Sequence, residues 1–514
     1  MRSSVARTTI AVLLALGALL AAVTAEAGPP VEADGPARLY TVVFAAPDRD
    51  ARTRLAQTGV AIDAIGPGTV TSVVDAAGLA RLQRQGLRPL AVTPLDFLPV
   101  DPAYHNYAEM VAAIEQAAAA YPDIVRVSTV GPSLEGRDIL AVKISDEPAV
   151  EDPAEPAALF MSLHHAREHL TVEMALEVIR LFTEGYGHDP ALTNLVNTRE
   201  IWVLPNINPD GGEYDIATGF YRWWRKNRRH NSDGTFGVDL NRNYGYGWGD
   251  DDGSSGTPGA ETYRGTEPFS EPESRAVRDF VLAHPDITAA ITFHTYAELI
   301  LYPYGNVGLQ QSMDGNDLST FRALAGKMAT TNAYTAQIAS DLYTTSGDTV
   351  DWLYGAQGIF GFTFEMYPRY SDPGFYPPGD VIERETRRNT AAVTYLAGVA
   401  DNPRKVIGLG GDATLPKVTL DITPPAPWLV GAPLTLTATA TDDVGITLVA
   451  WQVDGETVAM DTNAPFSTTW TPSAPGPHVV RALAFDAGAN QGTSGPMTVT
   501  AEMAQRVFLP LALR

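Results

Sequence analysis

His165 and Glu168, in Leu163-His164-His165-Ala166-Arg167-Glu168-His169, set two metal-capable side chains three positions apart beside an apolar run. Ala158-Leu159-Phe160-Met161 before them is apolar enough for a buried strand, and Thr171 to Ile179 after them carries helical periodicity. The pair therefore falls where a strand turns into a helix, the edge at which an open α/β sheet keeps its ligands. A catalytic zinc takes three protein ligands and leaves one position for water, and imidazole and carboxylate both suit it. The third ligand must come from elsewhere among the nine histidines. His294, at the carboxyl end of the β-rich run Ile287 to Phe293, falls on the same sheet edge and is the best candidate.

Two signatures stand in order, the His-x-x-Glu turn at His165 and Glu168 and the His-x-x-x-x-Leu-x-x-Tyr-Pro-Tyr string that begins at His294. On these the chain resembles the zinc metallocarboxypeptidases of the carboxypeptidase A/B family and is most similar to the bacterial carboxypeptidase T type, over residues 103 to 400. The resemblance implies His165, Glu168 and His294 as zinc ligands and Glu365, in Thr363-Phe364-Glu365-Met366, as the general base. It implies that Arg225, in Trp224-Arg225-Lys226, stabilises the oxyanion, and that Asp239 orients the first histidine. Asn241 and Arg242 would hold the substrate's terminal carboxylate, a task that suits a guanidinium fork, and Tyr343 would close over the substrate. Arg167 would line outer subsites. Val350 would form the base of the specificity pocket and favour hydrophobic or aromatic C-terminal residues, with Asp348 adding a secondary acceptance of basic ones.

A rival motif overlaps the same letters. His165-x-x-Glu168-His169 also spells the inverted zinc-protease pattern, in which both histidines ligate and the glutamate is the base. That reading leaves His294, Arg242 and Glu365 without a task. Two other functions fit parts of the chain: a peptidoglycan peptidase or amino-acid deacylase of the same fold, and a noncatalytic adhesive protein.

The elements that must position these residues divide the chain into parts. Residues 1–27, basic and then apolar from Ile10 to Val23 with Ala25-Glu26-Ala27 at the end, read as a signal peptide, so a secreted protein is expected. Residues 28–101 carry a βαββαβ pattern, with strands at Leu39–Phe44, Val60–Ile65, Thr69–Val74 and Leu87–Val92. Their place resembles that of a prodomain, cut near Asp96 to Tyr104; with no dibasic processing site in the segment, a retained folding aid fits equally well. Residues 102–403 alternate strands and helices, which predicts a three-layer α/β/α catalytic domain around a mixed sheet. A glycine-rich linker at 404–413 leads to 414–505, where strand patterns at Leu434–Ala440, Val449–Val453 and His478–Phe485 predict an immunoglobulin-like β-sandwich that serves as a spacer or attaches to a surface or another protein. The apolar tail at 506–514 is too short to span a bilayer.

A chain of 514 residues with no cysteine must draw its stability from core size and bound ions rather than disulfides. The net charge of −24 argues against a nucleic-acid partner, and no second apolar run reaches membrane-spanning length. A monomer acting on peptide or protein C-termini is expected. Calcium is a possible second ion at Gly249-Asp250-Asp251-Asp252-Gly253-Ser254, because that cation favours clustered oxygen ligands.

Overall fold

The computed structural model describes residues 38–152, 155–250, 253–412 and 414–503. The expected signal peptide, the apolar tail, and Asp251 and Asp252 of the expected calcium loop lie outside those residues.

The first part runs β1 (Leu39–Ala45), α1 (Arg49–Ala56), β2 (Ala64–Gly66), β3 (Thr69–Asp75), α2 (Ala76–Arg84) and β4 (Ala91–Pro94). Its sheet is ordered β2-β3-β1-β4, and Asp48 and Asp75 cap the two helices through their carboxylates. Val42, Phe44, Leu55, Val70, Val74 and Leu82 form its core. The pattern of elements follows the sequence, but two strands are displaced. Residues 60–63 are irregular, because the Asp63 carboxylate turns back to accept from Val73 N–H and also meets Arg167. At the other end, Gly86, with φ of 86°, lets Leu87 N–H bond back to Leu82, so β4 starts later than expected.

The catalytic part holds β5 (Val125–Pro132), β6 (Asp138–Ile144), β7 (Ala157–Met161), β8 (Glu200–Leu204), β9 (Ile287–Thr295), β10 (Leu299–Tyr302), β11 (Thr335–Ile338) and β12 (Phe360–Met366). They form one mixed sheet ordered β11-β10-β12-β9-β7-β8-β6-β5. Strands β7 and β8 are buried throughout, which is why they read as continuous apolar runs. Helices α3 (Tyr107–Ala120), α4 (Leu170–Gly185), α5 (Pro190–Val196) and α6 (Pro209–Ile216) precede β9. Apolar cores lie on both faces of the sheet, so the expected three layers are present.

The third part is the expected β-sandwich. One sheet joins Lys417–Thr423, Leu434–Thr441 and Ser467–Trp470, and the other is built on Ile446–Val453, Gly476–Asp486 and Met497–Glu502. Fully buried Trp451 lies in the core between them. The start of the expected linker is a short turn, Pro403–Ile407, held on the catalytic part by Arg404, whose guanidinium pairs with Asp317. The sandwich in turn meets α5 and the turn after it: Asn194 Nδ2 donates to Asp486 O at 3.1 Å, and Arg199 Nη1 to Ala487 O at 2.8 Å. At this junction the carboxyl oxygens of Asp412, Asp442 and Asp486 lie within 4.8 Å of one another.

Candidate active site

Strand β7 delivers the first ligand pair. The chain leaves it through Leu163, whose φ of 54° starts a tight turn, and the turn is closed by Leu163 N–H on Thr171 Oγ1 and by Glu168 N–H on His165 O. Parallel strand β9 brings in His294 two residues past Thr292, which pairs with Met161 of β7. The two Nδ1 atoms of His165 and His294 stand 3.1 Å apart, and the Glu168 carboxylate lies 2.8 Å from one and 2.9 Å from the other. Their far nitrogens are engaged elsewhere, His165 Nε2 with Asp239 at 3.2 Å and His294 Nε2 with Thr292 Oγ1 at 3.2 Å. Two ring nitrogens with outward partners leave both Nδ1 lone pairs facing one point beside a carboxylate, and that donor set fits zinc. Burial alone would raise Glu168, yet the two imidazoles hold it well below the ordinary carboxylate range.

Asp239 serves two partners at once. Its Oδ1 faces His165, while its Oδ2 accepts from Arg225 Nε at 3.1 Å and Nη2 at 2.9 Å. Arg225 outweighs the effect of burial and, with His165, keeps the Asp239 carboxyl ionised. Backbone joins the same two segments, because Ala166 N–H donates to Arg225 O at 3.0 Å.

Glu365 comes from β12, whose register sets it beside His294 of β9. Burial and the neighbouring Glu168 charge push its carboxyl up to about 8, against the pull of the Arg225 and Arg242 guanidiniums. A cavity of about 330 Å³ joins Glu365 to His165, Glu168, Arg225, Asn241, Arg242 and Tyr343. Asn241 Oδ1 accepts from Thr349 N–H and Oγ1, which leaves its amide NH₂ for another acceptor. Arg242 uses Nη1 on Asn241 O, while its buried Nε has no hydrogen-bond partner. Val350 also lines the cavity. Asp348 does too, but it caps the helix Thr349–Gln357, with Oδ1 taking Asp351 N–H and Oδ2 taking Thr345 Oγ1.

The prodomain-like part reaches into this cavity through residues 62–65. Asp63 pairs there with Arg167, whose guanidinium lies 4.0 Å from the Phe375 ring centre. Helix α1 also holds the Tyr343 loop: Arg52 donates to Leu342 O and Asp341 O, and Thr344 N–H donates to Thr53 Oγ1. Asp63 escaped the sequence reading, although an acid between Ile62 and Ala64 in an apolar stretch was a usable signal. His169 does not join the triad; its Nε2 lies 3.0 Å from Asp215 Oδ2.

A family model described as zinc carboxypeptidase matches residues 110–392, and one described as bacterial Ig domain matches 416–501. The chain belongs to the zinc carboxypeptidase family. It is 40% identical over 426 residues to a zinc carboxypeptidase of Saccharothrix mutabilis subsp. capreolus, covering 77% of this chain and 97% of that one. Carboxypeptidase A2 of Rattus norvegicus is 33% identical over 302 residues, 57% of this chain and 68% of the relative. In structure, carboxypeptidase A from Helicoverpa armigera superposes with a TM-score of 0.59 at 23% identity, over 71% of this chain and 97% of that one, a likeness of fold. The protein is thus a metallopeptidase that acts at peptide C-termini.

Proposed function

We propose that this protein is a secreted carboxypeptidase that removes hydrophobic or aromatic C-terminal residues, with Glu365 as general base and Arg225 at the oxyanion. The observation that carries the reading is Arg242, a buried guanidinium whose Nε is left without a partner inside a cavity that also holds Glu365 and the triad. A buried donor of that kind costs stability unless a ligand takes it, and a peptide's terminal carboxylate matches its geometry. Asn241 and Tyr343 complete the clamp.

His165, Glu168 and His294 would hold zinc, which supplies Lewis acidity and a lowered water pKa when bound. Glu365 takes the proton from the attacking water and returns it to the leaving amine. Arg225, fixed by Asp239, faces the charge that develops on the carbonyl oxygen. Val350 at the pocket base favours apolar side chains, and the local bonds of Asp348 reduce its call on a basic one. The 28–101 part acts as a prodomain: Asp63 occupies Arg167 and residues 62–65 fill space that substrate needs.

Paired peptides test this reading. A peptide ending in free Phe should be cleaved and its C-terminal amide should not, with chelation abolishing the activity and zinc restoring it. Equal turnover of acid and amide would remove the carboxylate clamp, and faster release of Lys or Arg than of Phe would reverse the preference.

A further inference from the structure

Asp215 and His169 have no task in the reaction as described, yet both are buried beside it. Asp215 sits in the last turn of α6, where the helix dipole opposes a negative charge. Its carboxylate is fully enclosed, so donors must compensate it. They come from one short loop. Asp215 Oδ1 accepts from Arg222 N–H at 3.1 Å and from Trp224 N–H at 2.7 Å, and the intervening Trp223 N–H donates to Tyr376 Oη at 3.0 Å. Tyr376 Oη donates in turn to the Asp215 carboxylate, at 3.1 Å from Oδ2. The N–H groups on either side of Trp223 can reach one oxygen in this way because Trp223 adopts φ of 60°, which folds the backbone into a cradle for an anion.

The next residue after this cradle is Arg225. Its carbonyl is bonded to Ala166 N–H, and His169, one residue beyond Glu168, grips Asp215 from the other side. One direct bond, and a second link that passes through Asp215, therefore join the arginine loop to the turn that carries His165 and Glu168. Close approach is allowed because residue 211 of α6 is glycine: a Cβ there would lie 2.6 Å from Lys226 O and 2.8 Å from Ala166 Cβ.

We propose that Asp215, held by His169 and Tyr376, is a positioning residue that fixes Arg225 against the metal-binding turn. The inference rests on Arg225 as the oxyanion group. Asp215 touches no reacting atom, so its removal should be felt only through Arg225.

A double-mutant cycle on the active enzyme tests this, with one peptide ending in Phe as substrate. Asp215→Ala should lower kcat about ten- to a hundredfold, with KM changed less than about threefold and zinc content unchanged. In an Arg225→Ala background the same substitution should change kcat less than about twofold. Asp215→Asn, which keeps an acceptor for Arg222 and Trp224, should restore most of the rate. If Asp215→Ala does not fold, Tyr376→Phe gives the same cycle with an expected loss of about three- to tenfold. An equal loss in both backgrounds, or no loss in the native background, overturns the proposal. An unchanged kcat in Arg225→Ala alone instead removes the assignment of Arg225, and this inference with it.

Discussion

The cleft and the sandwich junction both bury acidic groups, but they balance them differently. In the cleft three carboxylates have a cation or imidazole beside them: Asp239 has Arg225 and His165, Glu168 has two histidines, and Asp63 has Arg167. At the junction, Asp412, Asp442 and Asp486 face one another, and Asn490 is the side chain that bonds both Asp412 and Asp486. Burial, with Asp412 adding to it, pushes Asp486 up to about 6. The contrast teaches that much of the charge in the cleft is matched in advance, so Glu365 and the Arg242 Nε, which are not matched, are groups a substrate would engage.

The strongest way to break this contrast is Glu365→Gln, which should lower kcat by about 10²- to 10⁴-fold while bound zinc, measured by atomic absorption, stays at the native level. Turnover close to native would remove Glu365 as the base. Next, Arg242→Ala should lower kcat/KM by about ten- to a hundredfold, mostly through KM, since it would remove the charge-assisted bond proposed to the terminal carboxylate. A loss confined to kcat would place Arg242 in the chemical step instead. Asp63→Ala in the unprocessed chain removes one partner of a buried pair and should raise its activity several-fold relative to native precursor. Precursor that is already as active as processed enzyme would end the prodomain reading.

The smallest effect lies at the junction. Asp486 is raised in the folded state above its ordinary value of 3.8, so the unfolded chain gives up that proton first, and stability from this group declines as pH climbs from about 4 to about 6. Asp486→Asn has no proton to lose. Its melting temperature relative to the native protein should therefore rise across that window by about one to a few degrees, then level off above it. A difference independent of pH would show that the group is not titrating there.

How legible these regions were in the sequence follows from the same contrast. His165, Glu168, His294 and Glu365 stand at ends of buried strands, where apolar runs announce the position and the next polar residue becomes conspicuous. The partnership of His169 with Asp215 was not legible, because it spans 46 positions and depends on a positive φ at Trp223 that nothing in Trp223-Trp224 signals. Strand β2 shrank to three residues because an ion pair, not alternation, decides what Asp63 does. In the sandwich, Glu456–Asp461 went unread since its outer-edge strand has no fully buried residue to set a period. The docking of the sandwich beside α5 uses backbone carbonyls at 486 and 487 together with a Thr447–Asn194 bond across 253 positions, which no local pattern encodes.

Asp239 divides its two oxygens between His165 and Arg225. With the roles proposed for those two residues, one carboxylate would set both how firmly an ion is held and how well the carbonyl charge is met, and neither property could drift without the other. Such a joint constraint makes the centre resistant to gradual tuning, and directs any divergence in substrate choice toward wall positions such as Leu301, Val350 and Thr363, which line the cavity without serving either cation.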